Sequence, residues 1–218
     1  RGIASTLCSY HKDFIGAVDS GIISPARLGV TTSMICDGNI NTFRYVSRHT
    51  DLDTYVIDVP DSCSPKAVEY VTMQLKELIQ KLEALTGKRL SMDDLSETLA
   101  RENQSKAYYK EFLKLQAERY YPSTLTLQMY MLFATHLNIG TPETLDLFRS
   151  FAEDIKQYPK YDGTRIVWVH LLPFYQETLK HYFNLNRDYQ IQCTEMNLDY
   201  MDELDTTPVS YTHLTLPT

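Results

Sequence analysis

The stretch Thr31-Thr32-Ser33-Met34-Ile35-Cys36-Asp37-Gly38-Asn39 runs from the end of an apolar segment, through a turn, into a helical pattern. It places a cysteine where a strand is expected to stop and a helix to begin. Cys8, in Leu7-Cys8-Ser9, stands in a similar setting upstream. A helix start concentrates unpaired backbone N–H groups and partial positive charge. Such surroundings favour a thiolate, the form of cysteine that binds metal or attacks an electrophile. Two cysteines at neighbouring strand ends could aim at one point in space.

Outward from Cys36, the pattern alternates strand and helix. Residues 3–7 and 28–33 are expected to be strands, as is the β-branched run 54–59 (TYVIDV), which has the pattern of a strand buried on both faces. Residues 9–20 are expected to form a helix with Tyr10, Phe14, Ala17 and Val18 on one face, stopping at Gly21. Residues 39–49 follow as a second helix, with Asn39 a candidate N-cap and Ile40, Phe43 and Val46 at helical spacing. Alternation of this kind implies βαβ units and a parallel sheet.

The middle of the chain is helical. Ser64-Pro65 provides an N-cap and a first-turn proline, and apolar residues then recur at threes and fours from Val68 to Leu85, before Gly87. Ser91-Met92-Asp93-Asp94 resembles a capping box with Asp for Glu, opening a helix expected to reach Tyr120. Residues 125–137 form a third helix. Thr141-Pro142-Glu143 opens a fourth, with Leu145, Phe148, Phe151 and Ile155 inward. The α/β pattern then resumes: a strand at 165–170 (RIVWVH), a helix at 173–183, a strand at 189–193, and the start of another helix at 199–204.

The expected architecture is therefore α/β. A parallel-sheet, Rossmann-like domain occupies residues 1–63 and a helical segment 64–160. A second α/β domain begins at 161–208. Both ends are expected to be cut. Residues 209–218 (VSYTHLTLPT) carry no Asp, Glu, Lys or Arg and read as an adapter-derived scar.

With 218 residues, 43% hydrophobic and 22% charged, and a net charge of -7, the composition is that of an ordinary soluble protein. No basic stripe suggests nucleic acid, and no apolar run approaches the ~20 residues that span a bilayer. Four scattered cysteines (Cys8, Cys36, Cys63, Cys193) do not make a disulfide framework, so a cytoplasmic location is expected. Phosphate-cradling glycine loops are missing, and the histidines show no zinc spacing with the cysteines.

The run Thr6-Leu7-Cys8-Ser9-Tyr10-His11-Lys12, the stretch Thr32–Asn39, Thr42-Phe43-Arg44, Tyr55-Val56-Ile57-Asp58-Val59-Pro60 and the later Arg165–His170 with Pro173, Leu179 and Phe183 resemble the 2-hydroxyacyl-CoA dehydratase family, D-component (2-hydroxyglutaryl-CoA dehydratase) type. The resemblance implies a lyase subunit in which three cysteines hold a 4Fe–4S cluster with one iron open to the thioester oxygen of a CoA substrate. An ATP-dependent iron–sulfur activator would inject one electron. The thioester would become a ketyl radical anion, and water would leave to give a 2-enoyl-CoA. A related second subunit, forming a heterodimer, is implied as well, together with an anaerobic setting.

Cys8 and Cys36 match the first two cluster ligands of that family, and thiolate ligation is the usual way such clusters are held. The third ligand lies later in the family's second α/β domain and has no counterpart here; Cys63 and Cys193 lack its surroundings. Ser9, Tyr10, His11, Asp37 and Asn39 are candidates for the pocket or cluster mouth, Ser9, His11 and Asp37 being the weak catalytic candidates. Gly38 serves backbone geometry. Asp58 and His170, at strand ends, read as a turn former and a structural histidine. Two alternatives stay open: a benzoyl-CoA reductase-like or double-cubane cluster reductase subunit, and a cluster-free scaffolding subunit.

Overall fold

The computed structural model describes residues 3–24, 26–34, 36–173, 176–199 and 201–206. It is a mixed α/β structure with two short parallel strand pairs, in two compact units that divide between Leu90 and Ser91. The expected scar at 209–218 lies outside the described residues.

In the first unit, α1 (Ser9–Asp19) precedes β1 (Leu28–Thr32), α2 (Asp37–His49), β2 (Asp53–Ile57) and α3 (Pro65–Thr86). β1 and β2 pair in parallel, from Leu28 opposite Asp53 to Thr32 opposite Ile57, and α2 is the crossover between them. The buried face of α2 carries Gly38, Thr42 and Val46, one turn apart each time. Its Phe43 stacks on Phe14 of α1. Ser64 caps α3 by accepting from the Ala67 N–H at 3.2 Å. Gly87 ends it in the left-handed conformation, φ 72°, which a Cβ would strain.

Four expectations for this unit are corrected. Residues 3–7 form a turn, not a strand: the Leu7 N–H bonds back to the Ala4 carbonyl, and Lys12 Nζ takes the Ser5 carbonyl, so these groups are used locally. The buried residues of α1 are His11 and Ile15, whereas Tyr10 is exposed, because α1 packs on α2 along that side. Asn39 is not the cap of α2; the helix begins two residues earlier and Cys36 caps it. β2 is half-buried rather than buried on both faces, having one strand partner among the described residues.

The second unit holds α4 (Met92–Gln116), α5 (Leu125–His136), α6 (Pro142–Asp154) with a 3₁₀ turn at Ile155–Gln157, β3 (Thr164–Trp168), α7 (Glu177–Phe183) and β4 (Tyr189–Thr194), followed by a 3₁₀ turn at Glu195–Leu198. The Ser91 hydroxyl caps α4 and the Thr141 hydroxyl caps α6. α4 and α6 close on an aromatic core in which Tyr109 stacks on Phe148 at 4.8 Å and Phe112 meets Tyr121 edge-on at 4.9 Å. The buried stripe of α6 is Thr144, Phe148 and Ala152, then Ile155, rather than a stripe through Leu145.

β3 and β4 run parallel. The register passes from Ile166 opposite Ile191 to Val167 opposite Cys193, leaving Gln192 bulged. α4 stops at Gln116, short of Tyr120, because the Tyr120 N–H turns to the Pro159 carbonyl and Arg119 bridges to Lys160. α7 starts at Glu177 rather than 173; residues 174 and 175 are outside the described set. Where a helix was expected at 199–204, the described residues 201–204 have no regular structure: Asn103 bonds Leu204 through both its amide N–H and its oxygen, and Lys106 Nζ donates to the Asp202 carbonyl. β3 ends at Trp168, and His170 adopts φ 71°, its N–H donating to the Glu195 carboxylate at 3.0 Å.

Candidate functional site

α1 and α2 each open on a cysteine. Cys8 is the N-cap of α1 and Cys36 the N-cap of α2. The sequence produces this locally because each cysteine is the last non-helical residue before a helical run, and because Gly38 at the second position of α2 turns its N–H back toward Cys36. The Cys36 Sγ accepts that N–H at 3.3 Å, filling the place of a capping oxygen. Cys8 Sγ makes no capping bond. Both thiols are exposed.

His11 connects the two helix starts. It lies three residues past Cys8, on the first turn of α1, and is only 8% exposed. Its Nδ1 is 3.0 Å from the Thr42 hydroxyl on α2, and its Nε2 is 3.9 Å from Cys36 Sγ. Thr42 is 2% exposed. A Cβ on Gly38 would stand 2.7 Å from His11 Nε2 and 3.1 Å from Cys36 Sγ, so glycine is needed to admit the imidazole. The two cysteine-bearing helix ends thus share one packed imidazole.

The segment bearing Cys36 is held at the strand end as well. The Ser33 hydroxyl donates to Asp58 Oδ1 at 3.0 Å and accepts from the Val59 N–H at 2.8 Å. Gln74 of α3 bonds both the N–H and the carbonyl of Asp58, each at 2.8 Å. The Tyr70 hydroxyl donates to Asp58 Oδ2, and this contact holds the Tyr70 phenol above its usual range.

Of the remaining expected residues, Ser9 and Asp37 are exposed at the first helical positions of α1 and α2, and Tyr10 is exposed beside Ser9. Asn39 is on the first turn of α2, its N–H bonded to the Cys36 carbonyl. Cys63 is exposed before α3. Cys193 is buried in β4, where desolvation pushes its thiol up. Gln74 was not singled out by the sequence, and Thr42 and Ser33 entered only within the family-like runs, with no role of their own. Thr42 had a signal: it is a polar residue one turn before Val46 on the core-facing side of α2.

The donor chemistry at the helix starts fits part of a cluster site: two accessible sulfurs, each beside backbone N–H groups that suit an anionic centre. Among the described residues no group of three or more His, Cys, Asp or Glu side chains is placed to hold a metal ion. No helix among them is long and apolar enough to cross a membrane.

Comparison with known proteins adds the family. The model of the 2-hydroxyglutaryl-CoA dehydratase D-component matches residues 1–215. The chain belongs to this family. It is 22% identical over 172 residues (73% of this chain, 41% of the relative) to the (R)-phenyllactyl-CoA dehydratase alpha subunit of Clostridium sporogenes. It is likewise 22% identical over 174 residues (73% and 42%) to the (R)-2-hydroxyisocaproyl-CoA dehydratase alpha subunit of Clostridioides difficile. The chain spans about two fifths of the length of these curated relatives.

Proposed function

We propose that this chain is part of an iron–sulfur subunit of a 2-hydroxyacyl-CoA dehydratase, which removes water from a 2-hydroxyacyl-CoA thioester to give a 2-enoyl-CoA. One observation carries the reading: in a chain of this family, two exposed cysteines stand at the N-cap positions of two helices packed side by side. Cys8 and Cys36 would supply two thiolate ligands to a 4Fe–4S cluster. Bound there, the cluster would supply one-electron chemistry and an iron able to polarise the thioester carbonyl. The chain's own part is to hold the sulfurs. The N–H groups of the two first turns offset negative charge on the ligands, and the Ser33–Asp58 tie fixes the strand end from which Cys36 projects.

An ATP-dependent activator as electron donor and a related second subunit belong to the same reading; the relatives' naming as alpha subunits supports the latter. The deciding experiment is anaerobic reconstitution of the full-length protein with iron and sulfide counted per chain. Parent protein should retain about four irons per chain, and Cys8→Ser or Cys36→Ser should lower occupancy. Near-zero iron with both cysteines intact would replace this reading by a cluster-free subunit that shapes a partner's CoA pocket.

A further inference from the structure

The contact between His11 and Cys36 does more than fill space. The Cys36 sulfur already acts as an acceptor, taking the Gly38 N–H at 3.3 Å. A thiolate or metal-bound sulfur has no proton to give. A second bond to it therefore requires a donor, and the only polar atom of His11 facing it is Nε2, at 3.9 Å, the far end of hydrogen-bond range for sulfur. If Nε2 carries the proton of a neutral imidazole, Nδ1 is bare and needs a donor of its own. The Thr42 hydroxyl, 3.0 Å away and buried, is that donor.

We propose that His11 is a positioning residue: Thr42 O–H fixes its tautomer through Nδ1, and Nε2–H holds the Cys36 sulfur at the start of α2. The arrangement has the form of an outer-shell device, in which a fixed imidazole N–H orients a ligating sulfur. Hydrogen bonds to ligand sulfurs are among the levers that set cluster behaviour. The hydrogen bond in this direction needs a sulfur without a proton, ionised or ligated; its use in tuning a cluster rests on the proposed function.

Two measurements test it. In the ¹⁵N-labelled chain at pH 9.5, where an ordinary imidazole is neutral and an ordinary thiol ionised, the His11 ring signals are those lost in His11→Gln. A long-range ¹H–¹⁵N spectrum should show the Nε2-protonated pattern. Cys36→Ala should move the Nε2 signal more than Nδ1, and Thr42→Val the reverse. A Nδ1-protonated pattern, or an Nε2 signal indifferent to Cys36→Ala, overturns the proposal.

The second measurement uses reconstituted full-length protein and follows iron loss to a chelator. His11→Phe keeps a ring but has no N–H, and should lose iron about 10-fold faster, the low end of outer-shell effects. His11→Gln, which places an N–H near the position of Nε2, should stay close to the parent. The opposite order makes His11 a space filler and sinks the idea. Parent protein that takes up no iron defeats the proposed function instead, and the NMR result then decides the hydrogen bond alone.

Discussion

The Ser33 hydroxyl donates to the Asp58 carboxylate at 3.0 Å, joining the ends of β1 and β2 directly behind the segment that carries Cys36. The same oxygen accepts the Val59 N–H, so one hydroxyl serves both strand ends. Ser33→Ala leaves that N–H without its acceptor, a loss of about 1–2 kcal/mol for a partly buried group. Hydrogen exchange at the Val59 amide should quicken by about 10-fold. An unchanged rate would show that the tie does not hold the loop.

Two glycines should respond oppositely to alanine. At Gly38 the new methyl meets His11 Nε2 at 2.7 Å and Cδ2 at 2.8 Å, and the buried ring has little room to retreat. Gly38→Ala should cost about 1–3 kcal/mol, as overpacking does. At Gly16, inside α1, a Cβ meets nothing within 4 Å. Gly16→Ala should stabilise by about 0.5–1 kcal/mol through helix propensity. Urea unfolding followed by far-ultraviolet circular dichroism reads both, and equal effects would refute the packing at Gly38.

Asn103 holds the chain that follows the Glu195–Leu198 turn, bonding Leu204 twice at 2.8 Å. Asn103→Ala removes both bonds, and about 1–2 kcal/mol of local stability should go with them. Limited proteolysis at residues 199–206 should become faster while cleavage within α4 stays as slow as before. Uniform sensitisation would mean that Asn103 supports α4 itself.

Alkali should unfold the second unit through its tyrosines. Burial, then the Asp154 carboxylate and Tyr158, push the Tyr121 phenol up to about 12, and burial pushes Tyr109 up further still. A phenol held above its unfolded value near 10 keeps its proton in the folded state, so its contribution is whole below pH 10 and is lost as pH rises through the folded value. For Tyr121 this amounts to about 2–3 kcal/mol lost between pH 10 and 12. Absorbance at 295 nm should show a late tyrosinate fraction that ionises together with unfolding. Tyr121→Phe should flatten the stability slope in that window.

Helix starts were the most legible part of the chain. Ser64-Pro65, Ser91 and Thr141-Pro142 announce α3, α4 and α6, because a capping oxygen and a first-turn proline act on neighbours three residues away. The strands expected at 28–33, 54–59, 165–170 and 189–193 have counterparts at 28–32, 53–57, 164–168 and 189–194, each a short segment that stands between helical patterns. What failed depended on distant partners. Residues 3–7 look like a strand by composition, yet their backbone bonds close a turn. The end of α4 is set by Pro159, some forty residues on, and the tail at 201–204 by side chains of α4. At the site, the cysteines were visible as residues before helices. The His11–Thr42 pairing was not, since it arises only when α1 lies against α2.

Most helices begin on an oxygen that does nothing else; α2 begins on a sulfur with chemistry of its own. Whatever engages that atom changes its strength as an acceptor for the Gly38 N–H, so fraying of α2's opening residues and the chemical state of Cys36 are thermodynamically linked. Alkylating or oxidising Cys36 should therefore loosen the amides of Gly38 and Asn39 first, which makes those two amides a built-in gauge of what the sulfur is holding.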